Sequence, residues 1–329
     1  MFRMQIQSKK KCIWYCSAAV SFLLFLLLNL WCDHLVNMQD AQQMAGRWSE
    51  KKDVAQISCF FSSKAEVTED TIQSFEYSLK NVLQEASITE TSENPSARLW
   101  VDAYSADGKI TLVNGRNTLD ANAIGIGGDF FLFHPLKLIT GSYFSGNDLM
   151  QDYCIIDQDA AWQLFGSNDV VGMTVYIGNV PHIVTGVVRR PQGRMEKAAG
   201  LTSTVVYVSY ETLEAYGTSN GINHYEIVMP NPVDEFAYGK VKEGIGIDEK
   251  NVEIVENSRR YSLPNRIKTI LAFGTRSMNG KAIIYPYWEN LARGYEDIIA
   301  LLTVFMLFLL LFPVVTVIWC FVHWWRHKG

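Results

Sequence analysis

Hydrophobic residues are unevenly spread along this chain, with one long uncharged run near each end. The first run occupies residues 12–32 and would be about 31 Å long as an α-helix. The second run occupies residues 298–322, with an expected kink at Pro313. Because a hydrocarbon core is roughly 30 Å thick, both runs predict transmembrane helices.

A cleaved signal peptide is the competing interpretation of the first run, since Lys9, Lys10 and Lys11 would suit its basic segment. Signal-peptide cleavage requires small residues, but bulky Leu30 and Trp31 stand at the end of the run. We therefore expect the first helix to remain as an anchor.

Between the two runs, period-two stretches alternate with stretches of helical spacing, which predicts a mixed α+β domain. Two strand pairs are expected to turn at Asp107-Gly108 and at Gly178-Asn179. Strands are predicted at residues 55–63, 99–104, 109–113, 152–157, 174–177, 183–188, 204–208, 225–229 and 252–256.

Helix boundaries are indicated by capping residues. Thr68 is the expected N-cap of a helix ending near Glu85, and Asp157 or Asp159 caps a short helix that stops at Gly166. Further helices are predicted near residues 211–216 and 233–244. Helical spacing at residues 33–52 and 287–297 predicts that both membrane helices continue outward as helical stalks at the two ends of the domain.

These patterns define the expected organisation of the chain. The domain is expected to be extracytoplasmic, with mixed strands and helices in one compact unit of two lobes. The boundaries are a cytoplasmic N-terminus (1–11), a first span (12–32), the domain with its helical extensions (33–297), a second span (298–322) and a cytoplasmic C-terminus (323–329).

Charge sets the expected orientation. Four basic residues precede the first span, and Arg326 and Lys328 follow the second, so the positive-inside rule places both termini in the cytoplasm. The segment between the spans holds 23 basic against 34 acidic residues, a formal charge of −11 (23 − 34). Such an acidic domain argues against nucleic acid or anionic lipid as its partner.

Cysteine placement does not indicate a disulfide scaffold, because four of the six cysteines lie in or beside the two runs. Cys59 and Cys154 fall in strand-like stretches of the domain. They could form a disulfide or remain as two buried thiols, and the sequence leaves both alternatives open.

The sequence shows no recognisable catalytic or cofactor motif. The glycines of residues 124–128 lack the GxGxxG spacing, and Asp148, Asp152, Asp157 and Asp159 do not have calcium-loop spacing. His134, His182 and His224 are scattered without zinc-site spacing. We therefore expect a non-enzyme with no catalytic residues, cofactor or metal; substrate-binding residues are not indicated.

Residues 127–145 and 152–188 carry a set of ordered landmarks. An aromatic Asp129-Phe130-Phe131 step leads to a Gly-x-x-Phe turn at residues 141–144, a Leu-Phe-Gly helix end at 164–166, Val171-Gly172, and a closing strand at 184–188. This order resembles the extracytoplasmic core domain of MacB/FtsX-type permeases. In that family one membrane helix precedes the domain and another follows it.

The resemblance implies a permease-like membrane subunit of an ABC-type transport or mechanotransmission complex that acts on peptides, antibiotics or lipids. Family members usually carry two further membrane helices, and the 329 residues contain no GxxxxGK[ST] motif. We therefore expect a separate ABC ATPase and an additional permease chain as partners. The alternative is a membrane-anchored binding or sensing module without transport activity.

Overall fold

The computed structural model describes residues 2–49, 53–89, 98–275 and 282–328. These residues belong to two compact units. The first, the helical unit, falls within residues 1–39, 261–276 and 293–329; the second, the sheet unit, falls within residues 40–260 and 277–292.

Some of the helices form the helical unit, and the others pack against the sheet. Within the described ranges they are α1 (Phe2–Asn37), α2 (Met44–Trp48), α3 (Glu69–Glu85), α4 (Phe130–Phe133), α5 (Gln158–Phe165), α6 (Arg194–Ala198), α7 (Tyr210–Tyr216), α8 (Phe236–Gly244), α9 (Leu263–Leu271) and α10 (Tyr287–Lys328).

Strands lie in the sheet unit. They are β1 (Val54–Phe61), β2 (Val101–Asn114), β3 (Asn117–Gly128), β4 (Lys137–Gly141), β5 (Tyr153–Asp157), β6 (Thr174–Ile177), β7 (Val180–Arg189), β8 (Val205–Ser209), β9 (Thr218–Ser219), β10 (His224–Pro230) and β11 (Val252–Glu256).

Helices α1 and α10 contain the two predicted spans, and both are long and apolar enough to cross a membrane. α10 continues through Pro313 without interruption. In the helical unit the two helices are joined by hydrogen bonds, from Trp14 Nε1 to Thr316 Oγ1 (3.0 Å) and from Ser21 Oγ to the Leu309 carbonyl (2.6 Å). Such bonds are effective where lipid offers no competing partner.

The predicted helical extension at residues 33–52 is wrong beyond Asn37. The chain instead forms a single 3₁₀ turn at Asp40–Gln42 and then α2. The side chain of Gln56 fixes this turn, because it accepts from the Met44 amide (3.0 Å) and donates to the Ala41 carbonyl (2.7 Å). The last three residues of the predicted extension, 50–52, lie outside the described residues.

Nine of the strands form one path, in the order β11-β1-β10-β2-β3-β8-β5-β7-β4, with β6 and β9 attached beside it. Pairs β3–β8 and β5–β7 are parallel, whereas the other pairs are antiparallel. The sheet is therefore mixed, as the α+β pattern predicted. All of these strands belong to one sheet.

The predicted turn at Asp107-Gly108 is wrong. β2 continues through both residues, and the hairpin turns later, at Gly115-Arg116, into β3. Gly108 serves a close backbone approach instead, because a Cβ at that position would lie 2.4 Å from the Thr218 carbonyl oxygen. A glycine within a strand often has this role.

Other local predictions are confirmed. Thr68 caps α3 in a reciprocal arrangement with Thr71. Asp157 caps α5 by accepting from the Ala160 amide, and Gly166 ends that helix with a φ of 72°. The hairpin between β6 and β7 turns at Gly178-Asn179, where both residues have positive φ, as a two-residue turn of this hand requires.

The sheet buries apolar side chains on both faces. One face is covered by α3, α5, α7 and α8, and its core includes the alternate residues Ile57 and Cys59 of β1 and Tyr225 and Ile227 of β10. The other face carries Val101, Ile126, Tyr207 and Val228, together with residues of α2, α4 and the first turn of α10. The second face also holds the ionisable residues described next.

Candidate functional site

A buried histidine–glutamate cluster lies on the second face of the sheet. His224 and Glu226 are alternate residues of β10, so their side chains point to the same face. Both are about 1% exposed, although ionisable residues are seldom buried so completely unless they are paired.

The strand register assembles the surroundings of this pair. Ser58 of β1 lies opposite Glu226, Phe60 lies opposite His224, and Ser105 of β2 lies opposite His224 on its other side. Directly opposed residues bring their Cβ atoms to within about 5.5 Å. Three neighbouring strands therefore contribute to one cluster.

His134 joins the cluster from a different part of the chain. It follows the four-residue helix α4, and its amide donates to the Phe130 carbonyl (2.9 Å), which fixes the backbone at this position. Its Nε2 lies 2.7 Å from Glu226 Oε2. His224 Nε2 is 3.5 Å from the other oxygen, Glu226 Oε1.

Two serines contact the cluster from its edge. Ser58 Oγ donates to Glu226 Oε1 (2.5 Å), and Ser105 Oγ lies 3.3 Å from His224 Nδ1. If His224 Nδ1 carries the ring proton, then Nε2 presents a lone pair toward Glu226 and His134.

Aromatic rings enclose the histidines. Trp288, in the first turn of α10, packs on His134 with ring centroids 4.3 Å apart and on His224 at 5.2 Å. Phe60 stacks on His224 at 5.0 Å, and Phe130 lies against His134 at 4.6 Å. This apolar wall keeps water away and strengthens electrostatic interactions inside.

Burial and neighbouring charges shift the pKa values of His134 and Glu226 in opposite directions. Burial lowers the pKa of His134, and the facing Glu226 carboxylate opposes that shift. Burial alone would raise the pKa of Glu226, but the two imidazoles outweigh it and hold this pKa below its ordinary value. The carboxylate is therefore ionised at neutral pH in a site without solvent.

Polar contacts continue from this cluster to α10. Asn257 Nδ2 donates to Ser58 Oγ (2.6 Å), and Arg260 Nη1 donates to Asn257 Oδ1 (3.1 Å). Arg260 also forms a two-pronged ion pair with Glu289, with both N–O distances 2.7 Å. Since Arg260 and Glu289 are both buried, a connected polar network joins β10 to the first turn of α10.

His134 and His224 are far apart in the sequence, but the fold brings them together. His182 stays apart on β7, where its Nε2 lies 3.1 Å from Thr212 Oγ1. Sequence reasoning did not identify Glu226, Trp288, Arg260 or Glu289. A usable signal was the carboxylate of Glu226 in the apolar strand HYEIVMP, two residues after a histidine.

The glycines and three of the aspartates considered from the sequence have structural roles in the fold. The glycines of residues 124–128 lie in β3, where a Cβ on Gly125 would meet Leu213 at 2.8 Å. Asp157 and Asp159 both pair with Arg190, and Asp148 accepts from the Ser145 amide (3.0 Å).

Of the two alternatives for Cys59 and Cys154, the structure has two free, buried thiols. Cys59 lies on β1 and Cys154 on β5, and both are unbridged. Because four strands separate β1 from β5 in the sheet order, the two residues are about 24 Å apart along the sheet. A disulfide requires Cα atoms within roughly 7 Å.

Together these features define the class of protein: a mixed α/β sheet domain flanked in sequence by two apolar helices of membrane-spanning length. The family model of the MacB-like periplasmic core domain matches residues 38–254, about two thirds of the chain. The chain belongs to this family, as the landmarks at residues 127–188 indicated.

Curated relatives match a shorter stretch. The macrolide export ATP-binding/permease protein MacB of Pasteurella multocida is 31% identical over 98 residues, which is 29% of this chain and 14% of that protein. The MacB protein of Neisseria gonorrhoeae is 36% identical over 80 residues, 23% of this chain and 12% of the relative. The matched stretches thus span about a seventh or less of these relatives.

Among solved structures, the periplasmic region of MacB from Actinobacillus actinomycetemcomitans is similar to this chain at 19% identity. The match covers 65% of this chain and 92% of that structure, with a TM-score of 0.41.

Proposed function

We propose that this chain is a permease-like membrane subunit of an ABC-type transport or mechanotransmission complex, and that it has no catalytic residues of its own. The observation that carries the proposal is the match of residues 38–254 to the MacB-like periplasmic core domain, between two helices of membrane-spanning length. The relatives are named as export proteins with an ATP-binding part.

In this proposal the domain is extracytoplasmic and both termini are cytoplasmic, with the membrane crossed at about residues 12–32 and 298–322. α10 has 42 residues and is about 63 Å long, roughly twice the thickness of a hydrocarbon core. Part of it therefore lies outside the bilayer. The proposed span and Glu289 belong to the same helix.

The polar network supports a role in transmitting movement. Trp288 and Glu289 occupy the first turn of α10 and are buried in the sheet unit, where Glu289 pairs with Arg260. Because a helix is stiff along its axis, displacement of α10 would act directly on Arg260 and on the strands behind it. The force would come from an ABC ATPase acting with an additional permease chain.

The test is affinity purification of the full chain from its native membrane in mild detergent, with mass spectrometry of the co-purifying proteins. We expect an ABC ATPase and a multi-span membrane protein in stoichiometric amounts. An unrelated two-span protein carrying the same tag, expressed at the same level, is the control. Recovery of this chain without an ATPase would overturn the proposal and favour the membrane-anchored binding or sensing module.

A further inference from the structure

The buried cluster on β10 has the composition of a metal site. Two imidazoles and one carboxylate each offer one ligand atom, and these atoms lie within 4.8 Å of one another. His134 is 4% exposed, and His224 and Glu226 are each 1% exposed. We propose that His134, His224 and Glu226 bind one divalent transition-metal ion, of which zinc is the best match.

The polar atoms of this cluster do not satisfy each other. His134 Nε2, His224 Nε2 and Glu226 Oε2 are buried and have no hydrogen-bond partner among the described residues. His134 Nε2 approaches Glu226 Oε2 to 2.7 Å, but this contact is an ion pair only if the imidazole is protonated. Buried polar atoms without partners are rare in native proteins and often indicate an ion.

The three proposed ligand atoms need only small shifts to reach the separations found around zinc. Ligand atoms around a tetrahedral zinc ion lie about 2.0–2.2 Å from the metal and hence about 3.4 Å from one another. The distance between His134 Nε2 and Glu226 Oε2 is 2.7 Å and would widen on binding, whereas the longest ligand separation would shorten. Side-chain shifts of about 1 Å are sufficient.

Donor chemistry selects the kind of metal. Calcium and magnesium prefer sites made of oxygen ligands, whereas two imidazoles with a carboxylate suit zinc and its neighbours in the first transition series. Within the described residues, the ion pairs of Glu226 are with His134 and His224, which are charged only when protonated. A divalent cation would balance this buried carboxylate.

Residues next to the proposed ligands are placed to orient them, as residues around a bound metal commonly do. Ser105 Oγ next to His224 Nδ1 can fix the ring tautomer that leaves Nε2 free to coordinate, and Ser58 Oγ orients the carboxylate. Trp288 packs on both histidines from the first turn of α10. A bound ion would therefore hold β10, the end of α4 and this turn together, as structural metals do.

The test measures zinc in the full chain, purified in mild detergent through a tag without histidines and equilibrated with zinc at a low concentration. We expect about one zinc ion per chain, retained after dialysis, and at least a tenfold loss in Glu226→Gln and His134→Asn. His182→Asn alters a buried histidine outside the cluster and should keep the ion.

A second measurement uses the unmodified chain and does not depend on the folding of variants. A chelator should lower the melting temperature by several degrees, and added zinc should restore it, because the ion stabilises the folded state. A chain without zinc whose melting temperature responds to neither treatment would overturn the proposal. Zinc retained equally by all the variants would also overturn it, since the ion would then lie elsewhere.

Discussion

At the scale of single residues, Asp157 shows how one carboxylate can join three elements. It accepts from the Ala160 amide (2.8 Å) to cap α5, from the Val205 amide of β8 (3.0 Å), and from Arg190 Nη1 (2.7 Å). The side chain is 1% exposed. The cap could be predicted from sequence, whereas the contacts with Val205 and Arg190 depend on the folded sheet.

Replacing Asp157 with alanine is expected to lower the free energy of unfolding by about 3 kcal/mol, because two backbone amides lose their acceptor and the largely buried Arg190 loses one of its two carboxylate partners. Thermal unfolding of the purified chain measures the effect. Asp159→Ala is the matched control: this carboxylate also pairs with Arg190, but it is 46% exposed, and its loss should cost less than about 1 kcal/mol. Equal effects of the two changes would contradict the prediction.

Glu76 provides a prediction about pH. Burial first, and the neighbouring Asp102 second, raise the pKa of Glu76 from 4.5 to about 8. Asp102 in turn accepts from the Tyr225 hydroxyl (2.8 Å). Between these two pKa values the folded chain holds a proton that the unfolded chain releases, so stability is expected to fall as pH rises through this window.

The measurement compares melting temperatures at about pH 6 and about pH 9. The fall is expected to be smaller in Glu76→Gln, which stays neutral throughout the window, than in the unmodified chain. Glu85→Gln, an exposed position near the end of the same helix, should leave the fall unchanged. An unaltered pH dependence in Glu76→Gln would count against the raised pKa of Glu76.

The histidine cluster marks the limit of prediction at this scale. The sequence distance between His134 and His224 hides their contact, because it depends on the place of β10 in the sheet and on the turn after α4. Spacing rules identify ligands that lie on one helix or one loop. They do not identify ligands that the tertiary fold brings together.

At the scale of elements, periodicity predicted most strands and helices, and its main error concerned a glycine. Asp107-Gly108 is a frequent hairpin turn, but Gly108 lies within β2 and faces the backbone at Thr218. Residues 117–128, which form β3, were not among the predicted strands. A glycine permits both a turn and a close approach, and only the neighbouring strands decide between them.

This explanation predicts opposite outcomes for two glycine-to-alanine changes. Gly108→Ala should destabilise the chain by about 1–3 kcal/mol, since the new methyl group overlaps the Thr218 carbonyl and Leu213. Gly239→Ala, inside α8 with open space around the new methyl group, should stabilise it by roughly 0.5–1 kcal/mol. Melting temperatures of the two variants check both signs, and a neutral Gly108→Ala would show that β2 can move away.

At the scale of the whole molecule, hydropathy was sufficient to locate both long helices but not where the first one ends. After α1 ends at Asn37, Gln56 in β1 binds Ala41 and Met44, and these contacts cannot be read from residues 33–52 alone. The buried ion pair between Arg260 and Glu289 was likewise beyond sequence reasoning. Its two residues are 29 positions apart.

The ion pair predicts non-additive mutational effects. Arg260→Met or Glu289→Leu alone should each cost about 3–5 kcal/mol, because each removes one half of a buried, two-pronged ion pair and keeps the other charge buried. The double variant removes both charges and should cost much less than the sum of the single changes. A double-mutant cycle on unfolding provides the measurement. Additive losses would mean that the two residues act independently, and would remove the support that this contact gives to movement transmitted along α10.

The proposed membrane orientation predicts which side of the membrane each part of the chain faces. Leu149 is fully exposed in the sheet unit, and Trp325, near the end of α10, is 68% exposed. With both termini cytoplasmic, a membrane-impermeant thiol reagent should label Leu149→Cys in right-side-out vesicles and Trp325→Cys in inside-out vesicles only. Both changes keep the basic residues that set the orientation. Labelling of the unmodified chain measures the background reaction of its own cysteines. Labelling of Leu149→Cys in inside-out vesicles would place the domain in the cytoplasm and overturn the proposed orientation.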